Sequence, residues 1–258
     1  MEDRVTRSIV ESYTQKLSHH LASDAVIVGA GPSGLVAASL LARRGRKVAL
    51  FERSLAPGGG MWGGGMLMSR IPFQAELLPF LEEIGVRHTL KEGLLVVDSI
   101  EMTAALIQRA THDGTALFTC QSVEDLHLRR GRVAGVVVNW SPVVKAGLPV
   151  DPLVVSARVV LDSTGHPADL VKTLVRKNNI TLSTPSGGVE GERSLEMEEG
   201  ERAVVEATKE VFPGLFVSGM AANAVFGFAR MGPIFGGMLL SGIKAAELMD
   251  ASLAKGEA

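Results

Sequence analysis

This sequence predicts an α/β fold in which a parallel sheet carries an inserted antiparallel β segment, and three observations predict it. The first is the order of elements near the start. An apolar run at residues 25–28 meets a glycine-rich turn, Gly29-Ala30-Gly31-Pro32-Ser33-Gly34, and residues 35–43 continue in a helical pattern. The second is another apolar strand at residues 47–51, which ends in Glu52. The third is a pair of β-rich stretches, residues 123–128 and 133–140, flanking Arg129-Arg130-Gly131-Arg132, which read as a hairpin. A lone GxGxxG is weak evidence, but this one stands in its full strand, turn, helix, strand and acid context. Together the observations define an FAD/NAD(P)-binding, Rossmann-like domain. Gly29 permits the turn, Gly31 lets the backbone approach a pyrophosphate, and Gly34 lets helix and strand pack closely. Glu52 is placed to accept hydrogen bonds from an adenosine ribose.

The other elements follow in order. Val5, Ile9, Val10, Tyr13, Leu17 and Leu21 share one helical face, predicting an amphipathic helix over 4–21. After the βαβ unit at 24–52 comes Gly58-Gly59-Gly60-Met61-Trp62-Gly63-Gly64-Gly65-Met66. This is either a flexible connector or a loop that lies close against a ligand. Residues 73–84 read as a helix, 94–97 as a strand, 100–112 as a helix and 116–120 as a strand with Cys120 as a packing residue. The inserted hairpin region covers about 121–142, and an apolar strand at 157–161 ends in Asp162-Ser163-Thr164-Gly165-His166. A helix at 167–176, a loop-like and mobile stretch at 178–199, a helix at 201–211, a strand at 215–218 and a helix at 236–253 complete the chain. Residues 1–258 are expected to form a single domain.

Bulk properties narrow the functional classes. A formal net charge of −2 over 258 residues, with no large basic cluster, argues against a nucleic-acid surface. No stretch reads as a transmembrane helix, and the charged N-terminus does not read as a signal peptide, so a cytoplasmic location is expected. One cysteine excludes an internal disulfide.

Three residues could carry chemistry. Asp151 precedes Pro152, and His166 ends the DSTGH stretch with a strand between them. They read either as a turn former and a helix cap, or as a carboxylate–imidazole pair suited to Fe(II) if a second subunit supplies one of them. Arg230 is the only charge between Glu210 and Lys244. A lone arginine in an apolar stretch calls for an anionic partner, either a structural ion pair or a small carboxylate clamped in bidentate fashion.

With these residues in hand, the chain resembles the thiamine thiazole synthase family, in particular its archaeal and bacterial sulfide-dependent branch, also labelled ribose-1,5-bisphosphate isomerase. The resemblance runs over nearly the whole chain. It rests on VGAGPSG, FER with the GGGMWGGGM loop, VVVNWSPV, the VDP before TGH, and RMGPIFGGMLLSG. It implies that NAD is a substrate and not a redox carrier. NAD loses nicotinamide, its opened ribose condenses with glycine, and sulfide completes an adenylated thiazole carboxylate, with Fe(II) as the metal. Residue by residue, it implies that Ser33, Glu52, Arg53 and Gly60 hold the adenylate, that Val123 flanks the adenine, and that Met220 lies near the ligand. It further implies that Asp151 and His166 bind iron across adjacent protomers of a homo-oligomer, an octamer, and that Arg230 binds the glycine carboxylate. One position departs from the family. Relatives carry Cys or His two residues before the iron-binding Asp, and this chain carries Pro149, which has no thiol to give. Free sulfide is the sulfur source this implies.

Three rival readings share parts of the pattern. An FAD-dependent oxidoreductase shares the glycine turn and the hairpin, but usually carries an Asp where Met220 follows Gly219. A sugar-bisphosphate isomerase needs clustered cations. A diverged, non-catalytic NAD-binding module would retain NAD intact.

Overall fold

Ala25, Val26 and Ile27 are fully buried and Val28 nearly so, as a strand covered on both faces requires. The computed structural model describes residues 1–256. Helix α1 (Glu2–His20) leads into this strand, β1 (Ala22–Val28), then α2 (Pro32–Arg43) and β2 (Val48–Phe51). Strand β3 (Arg70–Gln74), α3 (Leu78–Glu83), β4 (His88–Lys91), β5 (Leu94–Asp98), α4 (Ser99–His112) and β6 (Ala116–Phe118) follow. Next are β7 (Gln121–Arg129), β8 (Arg132–Trp140), α5 (Ser141–Ala146), β9 (Leu153–Asp162) and α6 (Asp169–Asn178). The chain continues through β10 (Arg193–Leu195), α7 (Met197–Ala207), β11 (Lys209–Phe212), β12 (Leu215–Val217), α8 (Met220–Phe226), β13 (Ala229–Arg230) and α9 (Gly236–Ala254).

The fold is α/β and Rossmann-like. The main sheet runs β11-β12-β9-β1-β2-β6, with β12, β9, β1, β2 and β6 parallel and β11 antiparallel at the edge. Strand β9 joins two regions. Its first residues pair antiparallel with β8 of the hairpin, and its last pair parallel with β12. A three-stranded antiparallel sheet, β3-β5-β4, lies apart from it. Alternate β1 residues serve opposite faces. Ala25 and Ile27 join the core under α2, α4 and α9, while Val26 and Val28 join the core shared with the hairpin, α6 and α8. Register aligns Val28 with both Phe51 and Asp162, and Asp162 with Val217. The carboxyl ends of four parallel strands therefore lie in one row, where α/β sheets place their ligand crevice.

Four expectations need correction. Residues 73–84 are not one helix. Ile71 and Phe73 are buried between less buried neighbours, and that period of two makes β3, leaving a helix only over Leu78–Glu83. The helix expected over 201–211 ends at Ala207, and Lys209–Phe212 forms an edge strand against β12. Residues 178–199 include β10 and the start of α7, and Glu190, Gly191 and Arg193 donate backbone bonds to Val225, Ala224 and Phe228. Cys120 lies past the end of β6, half-buried and at φ +56°, so it is a turn residue and not a strand residue in the core. Among the described residues no helix is long and apolar enough to cross a membrane.

Candidate functional site

Gly29 and Gly34 earn their places by close approach. Gly29 has φ +99°, and a Cβ there would lie 2.4 Å from the Ser163 carbonyl oxygen. A Cβ on Gly34 would lie 2.1 Å from the Gly29 carbonyl oxygen. A Cβ on Gly31 would meet nothing within 4 Å, because Gly31 borders open space. That space is a cleft of about 1040 Å³ outside the carboxyl ends of the parallel strands, large enough for a dinucleotide.

The cleft gathers most of the expected residues from distant parts of the chain. Gly29, Gly31, Ser33, Glu52, Arg53, Gly60, Val123, His166, Met220 and Arg230 all line it. Two do not. Gly34 faces the strand it packs on, and Asp151 is exposed on the loop before β9. The glycine loop folds as 3-10 turns over Gly59–Gly63 and Gly65–Leu67. It contributes Gly60 and Met66 to the wall, and Trp62 donates to the Pro57 carbonyl.

The polar groups in the cleft have defined partners. Glu52 is buried, and its two carboxylate oxygens accept from the Ala30 and Ser54 N–H groups at 2.9 and 2.7 Å. It thus braces the glycine turn, and each oxygen can accept one more bond. Ser33 donates to Ser218 at 2.7 Å. Arg53 approaches Asp169 at 3.4 Å at the mouth of the cleft. Arg230 differs from the expectation of an ion pair in an apolar setting. It is exposed toward the cleft and its guanidinium has no acidic partner among the described residues, while Ala229 beside it is buried. Short strand pairing of β13 with β10 turns the two side chains opposite ways.

Two loops carry the proposed metal-binding residues. Asp162 is fully buried. Its carboxylate accepts from the Thr164 N–H and hydroxyl, and from the Leu170 and Val171 N–H groups at the start of α6. Burial pushes this carboxyl upward, and the bonds from Thr164 and Val171 oppose that. The result is a fixed turn that presents His166, whose Nδ1 bonds both oxygens of Glu192. On the other loop, Val150 N–H bonds the Leu148 carbonyl across Pro149, a three-residue turn that suits the fixed φ of proline. Buried Asn139 donates to the Val150 carbonyl at 3.2 Å, which holds the backbone beside Asp151. Among the described residues no three His, Cys, Asp or Glu side chains converge as a metal site. Asp162, Glu192 and Asn139 escaped the sequence reading. Only Asp162, the acid that ends an apolar strand in DSTGH, left a local signal.

Comparisons with known proteins establish the family and the fold. The family model described as the Thi4 family matches residues 6–235. A thiamine thiazole synthase of Methanothermobacter thermautotrophicus is 50% identical over 247 residues, covering 95% of this chain and 96% of that protein. One from Thermotoga maritima is 48% identical over 249 residues, covering 96% and 97%. The crystal structure of Thermovibrio ammonificans THI4 superposes with a TM-score of 0.96 at 45% identity, covering 98% of this chain and 99% of that one. The chain belongs to the Thi4 family.

Proposed function

We propose that this chain is a thiamine thiazole synthase that makes an adenylated thiazole carboxylate from NAD, glycine and free sulfide with Fe(II), in thiamin biosynthesis. The observation that carries the reading is Arg230, a guanidinium with no acidic partner among the described residues, on the wall of the same cleft that Gly31 opens. A dinucleotide seated on the glycine turn would bring its ribose end within the cleft Arg230 lines, where a small carboxylate finds a bidentate donor. Ser33, Glu52, Arg53, Gly60 and Val123 would hold the adenylate half, with Met220 beside it.

The donor set suits iron. His166 has Nδ1 committed to Glu192, and among the described residues neither its Nε2 nor the exposed Asp151 carboxylate has a hydrogen-bond partner. Neighbouring protomers of a homo-octamer would each supply one of the two ligands. Fe(II) bound there would supply a Lewis-acidic centre with open positions for the substrate. Pro149 offers no sulfur and Cys120 lies on another turn, so sulfur would come from free sulfide and the enzyme would turn over repeatedly.

Anaerobic incubation with NAD, glycine, Fe(II) and sulfide tests the reading. The expected result is several equivalents of thiazole product per chain, and no thiazole under those conditions would sink it. Mass spectrometry of the small molecule retained on purification separates the rivals. An adenylate supports the synthase, a flavin an oxidoreductase, and intact NAD a binding module.

A further inference from the structure

We propose that Glu192 is the positioning residue of His166, fixing its ring and tautomer so that Nε2 faces the metal. The inference rests on reading His166 as a metal ligand. It assigns a function to a residue that lies 26 positions away in sequence, in a stretch with no motif.

The geometry points to orientation and not to stability. His166 Nδ1 lies 2.7 and 2.8 Å from the two oxygens of Glu192. A carboxylate only accepts, so the Nδ1 atom must carry the proton, and a neutral ring then has its lone pair on Nε2. That is the tautomer a metal at Nε2 requires. The His166 side chain is 53% exposed and Glu192 only 16%, so the acid is seated and the imidazole projects from it. An exposed ion pair adds little to stability, whereas a carboxylate behind a ligating imidazole sets its direction and basicity.

The backbone on both sides of the contact is anchored. Gly191 N–H bonds the Ala224 carbonyl at 2.9 Å, and Arg193 N–H bonds the Phe228 carbonyl at 3.0 Å, so Glu192 sits between two fixed points tied to the end of α8. Opposite it, Asp162 holds the turn that leads to His166 and Ala168 N–H bonds the Gly165 carbonyl. The same anchored segment continues through β10 to β13, which carries Arg230. One edge of the cleft thereby holds the imidazole and the guanidinium in fixed relation.

Anaerobic titration of the full-length protein with Co(II), read by its visible absorption, tests the proposal. NAD affinity and thermal midpoint serve as fold controls. Glu192→Ala is expected to weaken Co(II) binding roughly 10–100-fold, with both controls unchanged. Glu192→Gln, which keeps the length and a neutral acceptor, should fall between that variant and the parent. Binding of Glu192→Ala within about twofold of the parent, while His166→Ala abolishes it, overturns the positioning role and leaves the ligand reading standing. Loss in Glu192→Ala as complete as in His166→Ala also overturns it, because Glu192 would then be a ligand itself. Unchanged Co(II) binding in His166→Ala overturns both readings.

Discussion

At the scale of single residues, Gly31 and Gly34 of the turn do different work and can be separated. Gly34→Ala drives a Cβ to 2.1 Å from the Gly29 carbonyl, backbone against backbone, so helix and strand must part. The expected loss is about 1–3 kcal/mol or more, read as a lower midpoint in chemical denaturation. Gly31→Ala meets no atom within 4 Å of the folded chain. It should cost less than about 1 kcal/mol, since the residue caps α2 and gains only a methyl group. Its effect should appear in NAD affinity, since the methyl group would occupy the space proposed for the pyrophosphate. Equal stability losses in the two variants would refute this division. Arg230 permits a similar separation. Arg230→Lys keeps the charge but loses the fork that grips a carboxylate on two bonds. One charge-assisted bond is worth roughly 1.5–3 kcal/mol, so the KM for glycine should rise about 10–100-fold while NAD binding stays put. An unchanged glycine KM would remove Arg230 from the carboxylate site.

At the scale of elements, legibility followed how local the determining forces are. Strand β1, α2 and β2 were readable because each boundary has its own chemistry: a fully apolar strand, a glycine turn, and an acid at the strand end, read as a ribose acceptor and found also to brace the turn. Helix α4 was readable over residues 100–112, and the structure adds what starts it, Asp98 accepting from the Ile100 and Glu101 N–H groups. Strand β3 was missed because its short period of two runs straight into the apolar pattern of α3, and β11 because an exposed edge strand is set by β12 beside it. The cleft residues were legible as a set through the glycine turn and the family resemblance. Glu192 and Asn139 were not, because their partners are set by tertiary contact. Helix α7 illustrates a further cost that the sequence hides. Its buried Glu201 accepts from the Gln74 amide and from the Gly237 N–H at the start of α9, while Glu201 Oε1 and Gln74 Oε1 have no partner. Burial pushes the Glu201 carboxyl above its ordinary value of 4.5. A carboxyl raised by folding gives its stability below that ordinary value and loses it as pH climbs through the folded one. Glu201→Gln removes the buried charge and adds a donor to a group with surplus acceptors. Its unfolding free energy should match the parent near pH 4.5 and exceed it increasingly as pH rises above that, by about 1–2 kcal/mol. A constant gap across that range would count against the argument.

At the scale of the whole molecule, the surface is unfinished in a way that bears on the site. Helix α1 buries no residue. Tyr13 and Leu17 rest against the hairpin core, but Val5, Ile9 and Val10 are 53, 63 and 56% exposed on the same helix. Leu148, Val150 and Val154, near Asp151 in sequence, are exposed as well, and Asp151 lies outside the cleft that His166 lines. A neighbouring protomer that covered this apolar surface would carry Asp151 toward a second cleft, and that is the arrangement proposed for the metal site. Complementation between two inactive variants tests it without a structure of the assembly. Asp151→Ala and His166→Ala should each be inactive alone. In an oligomer co-expressed from equal amounts, a working site needs its Asp from a chain of one kind and its His from the other. Random mixing gives each an even chance, so about a quarter of the parental activity should return. If Asp151 and His166 serve one cleft within one chain, every chain carries a lesion in its own site and nothing returns. Recovery that disappears when the two variants are purified separately and kept from exchanging subunits would place the shared site at the protomer boundary.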